Sequence, residues 1–488
     1  MNDLSINDIQ QLENLGITES TLTQQYKLFE NGIAPVALIS PAGIENGVLR
    51  LNKEQFDHFE KYFNDHAVSL EITRFVPASG AASRMFKAFY QFLESGTENQ
   101  EVKSFASGFQ AFAFYDQIKC SNEPDYSCAI NNMINTQKLA ELPKALIPFH
   151  SYATETRTAL EEHLVETAMV LNKNEQIDIH FTISESHQGK FDDLIKSTID
   201  KYSEAYGCNY NVSFSYQSHT TDTIAVSDNN ELMRNSDGSL MFRPGGHGSL
   251  LMNLNNLDAD IVFIKNIDNI QPDHLKSNTV FYKKILGGYI ISLQKKVKEL
   301  LVNLDDNEID LNRVTEKVEK ELQIRLPKSL NQLTAKEKKE YLHSRLNRPI
   351  RVCGMVKNEG EPGGGPFWLK NNDDEESLQI VESSQIDMHD KQQEEIFKQA
   401  SYFNPVDLVC LLKDYEGNKF NLHEFTDPKT AFISEKSQDG LTFKVLEHPG
   451  LWNGAMADWI TVFIEVPIST FSPVKTITDL LRPQHQPG

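Results

Sequence analysis

Ile72-Thr73-Arg74-Phe75-Val76 runs directly into Pro77-Ala78-Ser79-Gly80-Ala81-Ala82-Ser83-Arg84-Met85. The first five residues form a short apolar run of strand type, and the next nine gather small side chains before a basic one. Phe86, Phe89, Tyr90 and Leu93 then open an amphipathic, helical segment. A strand, a small-residue turn and a helix is how an α/β protein brings backbone N–H groups close to an anion. Small side chains permit the approach, and Arg84 adds a fixed positive charge. A plain turn has the same composition, so the stretch gains weight only from what surrounds it.

Outward from this stretch, strands and helices alternate. Ile177 to Ile183 is a strand candidate ending at Ser184-Glu185-Ser186, Phe191 to Tyr206 reads as a helix, and Val212 to Tyr216 as another strand. Thr156 to Glu166 reads as a helix with Leu160, Leu164 and Ala168 on one face. Ile261 to Ile264, Arg351 to Val356, Leu378 to Glu382 and Val462 to Val466 are further strands. The alternation predicts an α/β fold, a three-layer α/β/α sandwich around a central sheet. Residues 1 to about 70 read as a helical N-terminal attachment broken at Pro35 and Pro41, and 71–475 as the core. Two helical insertions, about 86–140 and 280–345, interrupt that core, and 476–488 forms a tail. The charge runs of the second insertion read as a wet helix face.

Bulk composition narrows the function. The 488 residues, 39% hydrophobic and 24% charged with 28 Phe, describe a folded protein able to bury a large core. A formal charge of −22 argues against nucleic-acid binding, which needs an excess of Lys and Arg on the binding face. Cys120, Cys128, Cys208, Cys353 and Cys410 are widely spread without C-x-x-C spacing, so buried free thiols are expected. With no secretory signal and no long apolar stretch, a cytoplasmic protein without a membrane span is expected.

Several other segments suit a ligand. Lys144 stands between Pro143 and Pro148, in backbone expected to be extended. Asp237 to Gly248, ending Pro244-Gly245-Gly246-His247-Gly248, is a Gly-dense loop entering an apolar helix. Asp268 follows the strand at Ile261 to Ile264, at the strand end where open α/β sheets bind ligands; it suits a metal ligand and a turn former equally. Glu361 to Pro366 reads as a loop, and His150 and His163, flanking a helix, as caps or core partners.

Taken in order, the small-residue loop ending in Arg84, the Pro-Lys, the Ser-Glu, the Pro-Gly-Gly-His-Gly, the Ile-Asp-Asn at 267–269, the Val-Glu-Ser at 381–383 and the Phe-Ser-Pro-Val-Lys at 471–475 resemble the succession in UDP-sugar pyrophosphorylases, including the UDP-N-acetylhexosamine enzymes. Over its whole length the chain also resembles a bacterial family called domain of unknown function 4301. The resemblance implies the nucleotide-diphospho-sugar transferase (GT-A-like) fold with a central mixed sheet. It implies an Mg²⁺-dependent nucleotidyltransferase joining a nucleoside triphosphate, UTP in the relatives, to a sugar 1-phosphate with release of pyrophosphate. Ser79, Gly80, Ala81, Ala82, Ser83 and Arg84 would cradle the triphosphate, and Lys144 would contact the α-phosphate. Gly246, His247 and Gly248 would approach the nucleoside, and Asp268 would hold Mg²⁺. Gly354, Glu382 and Asn404 would hydrogen-bond the sugar, and Lys475 would face its phosphate. The catalytic set would thus be Arg84, Lys144 and Lys475, in a monomer or weak homodimer that meets no nucleic acid and no membrane.

The chain also departs from the pattern. Ser79 and Ala82 stand where pyrophosphorylases carry glycine, and Ser249 follows Gly248 in place of an acidic residue or glycine. A helical insertion separates Arg84 from Pro143, so Lys144 reaches the loop only if that insertion bulges outward. Base and sugar stay open, as do a glycosyltransferase-like reaction and a nucleotide-sugar-binding protein without turnover. Ile267-Asp268-Asn269 lacks the Asp-x-Asp of glycosyltransferases and favours the pyrophosphorylase reading.

Overall fold

Phe75 and Val76 are fully buried because their strand, Ile72–Pro77, is flanked on both sides and covered on both faces. Such strands read as continuous apolar runs rather than as alternation. The computed structural model describes residues 4–80, 82–120, 125–171, 176–304, 306, 309–360, 363–371, 375–438 and 441–488. They divide into two units: Met1–Gln55, Gln217–Ile261 and Tyr289–Glu465 form the first, and Phe56–Tyr216, Val262–Gly288 and Val466–Gly488 the second. The architecture is mixed α/β, as the alternation predicts.

In the second unit Ile72–Pro77 lies parallel to Gln176–Ile183, which lies parallel to Asn209–Tyr216. On its other side stands Ile261–Lys265. Helix Ala159–Leu171 is buried nearly all round, polar residues included. It starts later than the sequence suggests, because Thr156–Thr158 pairs with Pro148–Ser151 as a small antiparallel ribbon. The first insertion is helical, with Lys87–Ser95, Gln100–Gly108, Tyr115–Ile118 and Tyr126–Asn131 around a Phe cluster in which Phe89 meets Phe105 at 5.2 Å and Phe112 meets Phe114 at 4.9 Å. One expectation fails here. Cys120 and Cys128 form a disulfide, their Cα atoms 6.4 Å apart, within bridging range. Cys208, Cys353 and Cys410 are buried free thiols.

In the first unit Gly43–Ile44, Gly47–Leu49, Ile460–Glu465 and Ile350–Lys357 run parallel, and Asp407–Leu411 joins Ile350–Lys357 antiparallel, making a mixed sheet. Leu38–Pro41, Gly365–Lys370 and Glu376–Val381 form a second, antiparallel sheet. The strands at 38–49 stand where the sequence reads as helix. Their runs are too short to show a period, and Leu38–Pro41 and Gly47–Leu49 find partners hundreds of residues away, as Leu38 opposite Leu369 and Val48 opposite Phe463 show. Gly365–Lys370 likewise begins inside the stretch that reads as a loop, of which Glu361 and Pro362 lie outside the described residues. Helices Ile6–Leu15 and Glu19–Asn31 bury Leu12, Leu22 and Phe29 against Ile224, Val226 and Leu446, so the N-terminal residues belong to this core. Among the described residues no helix is long and apolar enough to cross a membrane.

Candidate functional site

The small-residue loop is tied down at its ends. Ala78 N donates to the Thr182 carbonyl at 2.9 Å and Ala82 N to the Leu142 carbonyl at 3.1 Å, while Lys144 N meets the Gly80 carbonyl at 3.5 Å. Arg84 does not open the α-helix as expected. Ala82–Phe86 is a 3-10 turn, and the helix begins at Lys87. The tighter turn buries Met85 and Phe86 and leaves Ser83 and Arg84 exposed. Ala81 lies outside the described residues. Among the described residues, none beyond its chain neighbours places an atom within 4 Å of where a Cβ on Gly80 would lie.

Lys144 reaches the loop despite the insertion. The 3-10 turn Leu139–Glu141 packs on Ala82–Phe86 and returns the chain beside it. Only Pro143 is extended; Lys144–Leu146 coils into one 3-10 turn, contrary to the expected extended backbone. The Lys144 ammonium donates to Asp268 Oδ2 at 2.7 Å and to the Val474 carbonyl at 3.0 Å. Val474 N in turn donates to the Asp268 carbonyl at 3.0 Å. Asp268 stands in the turn after Ile261–Lys265, and Lys475 follows Val474 directly. Four predicted positions, Gly80, Lys144, Asp268 and Lys475, are thereby linked through one lysine. Arg84 and Lys475 are exposed, and neither side chain pairs with a carboxylate among the described residues, although Lys475 N donates to Asp479 Oδ2 at 2.8 Å.

Beneath Asp268 lies a buried ionic platform. Glu166 Oε1 accepts from Arg74 at 2.6 Å, and Glu166 Oε2 accepts from Lys265 at 2.8 Å. His163, inside its helix rather than flanking it, donates from Nε2 to the Ile267 carbonyl at 3.2 Å, leaving Nδ1 to accept from Arg74 at 3.4 Å. Burial alone would raise the Glu166 carboxyl, but Lys265 and Arg74 hold it well below the usual range. Burial, then Arg74, push the His163 imidazole well below its ordinary value, so it is neutral. Nearby, Glu162 accepts from His150 Nδ1 at 2.8 Å, and His150 Nε2 accepts from His485 Nδ1 at 2.9 Å.

The donor set at Asp268 fits a nucleotide-borne Mg²⁺. Its Oδ2 is taken by Lys144, while no described protein group bonds Oδ1. Mg²⁺ usually takes one or two carboxylates and completes its shell with phosphate oxygens and water. Among the described residues no group of three His, Cys, Asp or Glu gathers, so a cage made of protein alone is not built.

The remaining predicted residues lie in the first unit. His247 stacks on Trp452 at 4.2 Å, accepts from Leu451 N at its Nδ1 at 3.0 Å, and turns Nε2 toward Glu382 Oε1 at 3.9 Å. Burial lowers its pKa against the opposing pull of Glu382 and Glu447. Gly246 has φ +76°, and a Cβ on Gly248 would stand 2.2 Å from the Pro449 carbonyl oxygen, so the protein itself requires both glycines. Asn404 Oδ1 accepts from Val406 N at 3.0 Å, and Gly354 is buried in strand register with Ile464. The two kinds of glycine should part in experiment. Gly248→Ala is expected to lower stability by about 1–3 kcal/mol through overpacking, whereas Gly80→Val stays within about 0.5 kcal/mol of the parent in urea unfolding. If Gly80 admits a phosphate, Gly80→Val instead weakens nucleotide binding by about tenfold or more, read by titration calorimetry.

With this geometry in view, comparison with known proteins is informative. The sequence matches the domain of unknown function DUF4301 across residues 5–486. The chain belongs to the DUF4301 family. No curated protein matches it significantly in sequence. Among solved structures, the UDP-N-acetylglucosamine pyrophosphorylase of Trypanosoma brucei, in complex with an inhibitor, is similar at TM-score 0.51 and 11% identity, covering 98% of this chain and 79% of that one. UDP-glucose pyrophosphorylase of Leishmania major, in complex with UDP-glucose, scores 0.45 at 12% identity, covering 98% and 79%, too loose a likeness to argue from. The first likeness gives this DUF4301 chain the nucleotidyltransferase fold.

The sequence pointed to His163 as a cap or core partner, and it is a core partner, but it did not single out Glu166 or Lys265. The available signal was a helix whose polar residues, Glu161, Glu162, His163 and Glu166, are interleaved with apolar ones on every side, leaving no clean wet face.

Proposed function

We propose that this DUF4301 chain is an Mg²⁺-dependent nucleotidyltransferase that joins a nucleoside triphosphate, UTP in the first instance, to a sugar 1-phosphate. The observation that carries the reading is Lys144, held between Asp268 and the segment leading to Lys475 while its backbone closes the small-residue loop. In this reading a sugar-phosphate oxygen attacks the α-phosphorus in line, one P–O bond forms, the α–β bridge breaks, and pyrophosphate leaves with the electron pair. The attacking oxygen is already ionised, so no general base is needed. The chain's task is to position two polyanions and offset their repulsion. Lys144 would meet the α-phosphate, Arg84 the leaving phosphates, and Lys475 the sugar phosphate. Asp268 would hold Mg²⁺, which supplies further charge screening. In the first unit, Gly246, His247 and Gly248 are proposed for the nucleoside and Gly354, Glu382 and Asn404 for the sugar.

The test is pyrophosphate release with Mg²⁺ across nucleoside triphosphates and sugar 1-phosphates. Release that needs both substrates, and falls by about 10²-fold or more in Asp268→Asn, is expected. A nucleotide sugar that binds while every pair stays silent would replace the synthetic reading with a transferase or binding one.

A further inference from the structure

The first unit holds a polar cavity of about 510 Å³ whose wall includes Arg345, Arg348, Gln379, Lys429 and Asn453. A narrower recess shares Arg345, Arg348 and Gln379 and adds Trp459. Two features of these walls call for a ligand. Asn453 is 3% exposed, and its Oδ1 is buried with no hydrogen-bond donor among the described residues, while its Nδ2 is spent on Gln385. Trp459 is 5% exposed, and its indole N–H is buried with no acceptor. Buried polar atoms are nearly always satisfied, so an acceptor and a donor in these walls are left unanswered by the described residues.

The walls carry both signs, Glu375, Asp427 and Asp458 standing beside Arg345, Arg348 and Lys429, and the charge left without a counter-charge lies just behind them. Arg351 is fully buried directly behind Gln379, donating to Gln379 Oε1 at 3.0 Å, to Thr461 Oγ1 at 2.8 Å and to the Trp452 carbonyl at 2.8 Å. All three partners are neutral, and no carboxylate pairs with Arg351 among the described residues. A buried cation without a counter-ion is costly, and an anion beyond the Gln379 wall would offset it. Arg345 is answered by Glu375, whereas Arg348 meets Asp458 only at 3.3 Å, and that carboxylate is half exposed. Lys429 adds an exposed cation at the mouth.

We propose that this cavity is a second binding site, for a hydroxylated organic anion of about sugar-phosphate size. The volume falls in the ordinary range for small-molecule sites. Anionic oxygens answer the arginines and the Trp459 N–H, and a hydroxyl answers Asn453 Oδ1. The site does not depend on the nucleotidyltransferase reading, since none of its residues belongs to the Lys144–Asp268 group.

Titration calorimetry of the full chain with glucose 6-phosphate, glycerol 3-phosphate and citrate tests it, with glucose and inorganic sulfate as controls. At least one of the three anions should saturate with a Kd below about 1 mM, and both controls should bind at least about tenfold more weakly. Arg348→Met should weaken that binding by about tenfold or more, and Lys144→Met should leave it unchanged. Lys429→Glu, on an exposed side chain and so safe for folding, should weaken it in the same direction. The proposal falls if none of the three saturates. It also falls if glucose or sulfate binds as well, if Lys429→Glu binds as tightly as the parent, or if Lys144→Met abolishes binding.

Discussion

Lys144→Met is expected to lower pyrophosphate release by about 10²–10³-fold while leaving the urea unfolding midpoint almost unchanged. The two halves of this expectation rest on different physics. The ammonium and the Asp268 carboxylate are 17% and 20% exposed, so water screens their pair, and losing it costs about 1 kcal/mol or less. In the transition state the same ammonium would face a phosphorus whose oxygens carry growing negative charge, with water displaced by substrate. A fixed cation is then worth about 3–4 kcal/mol. Lys144→Arg should rescue little, because a planar guanidinium cannot meet both Asp268 Oδ2 and the Val474 carbonyl along the path the ammonium takes. Steady-state release and urea denaturation on the same preparations check both halves. Equal loss of activity and stability would make Lys144 a structural residue and remove the main support for the proposed reaction.

Glu166→Gln should destabilise the second unit by about 3–5 kcal/mol. Glu166 is fully buried between Arg74 and Lys265, themselves 2% and 0% exposed. The amide keeps the shape and removes the carboxylate charge that Arg74 and Lys265 share in a low-dielectric interior. Acid should act through the same groups. Burial lowers His150 and His163, and burial followed by His150 and Arg482 brings His485 to about 3. These rings are neutral in the fold and take up protons on unfolding, so stability falls as pH drops below the unfolded histidine value near 6.5. Glu162, raised by burial but drawn down to about 2 by Lys276 and His150, and Glu166, held low by Lys265 and Arg74, add a second loss as pH falls below about 4.5. Urea midpoints between pH 7.5 and 3.5 should therefore decline in two stages, with the second much reduced in Glu166→Gln. A midpoint flat down to pH 4 would mean that the histidines are not held neutral. Because His163 also grips the Ile267 carbonyl next to Asp268, Glu166→Gln is expected to lower activity by disturbing the position of Asp268.

Local pattern alone determined much of this protein. Ile261 to Ile264 is an unbroken apolar run, as strands covered on both faces show, and Ile72 to Val76 is a short run of strand type whose following small residues mark a place for the chain to turn. Asp268 was legible because it follows such a run directly, and Lys144 because prolines flank it. The helical first insertion was legible from its spacing of Phe residues. Those signals are short-range, and a period or a breaker is carried by neighbours in the chain.

Only the tertiary structure decided the rest. Leu38–Pro41 and Gly47–Leu49 take their places from partners more than three hundred residues away, so nothing local reveals them. The Cys120–Cys128 disulfide depends on the fold bringing the two Cα atoms to 6.4 Å, not on a spacing motif. Whether the insertion let Lys144 back to Gly80 was settled by a backbone hydrogen bond from Ala82 to Leu142. The sign of each buried charge was settled in the same way. Glu166 and Arg351 are charged residues in amphipathic sequence until the fold removes water from both, giving the first two cationic partners and the second no anionic one. Electrostatic strength depends on the surrounding dielectric, and burial is a property of the whole chain rather than of any stretch of it.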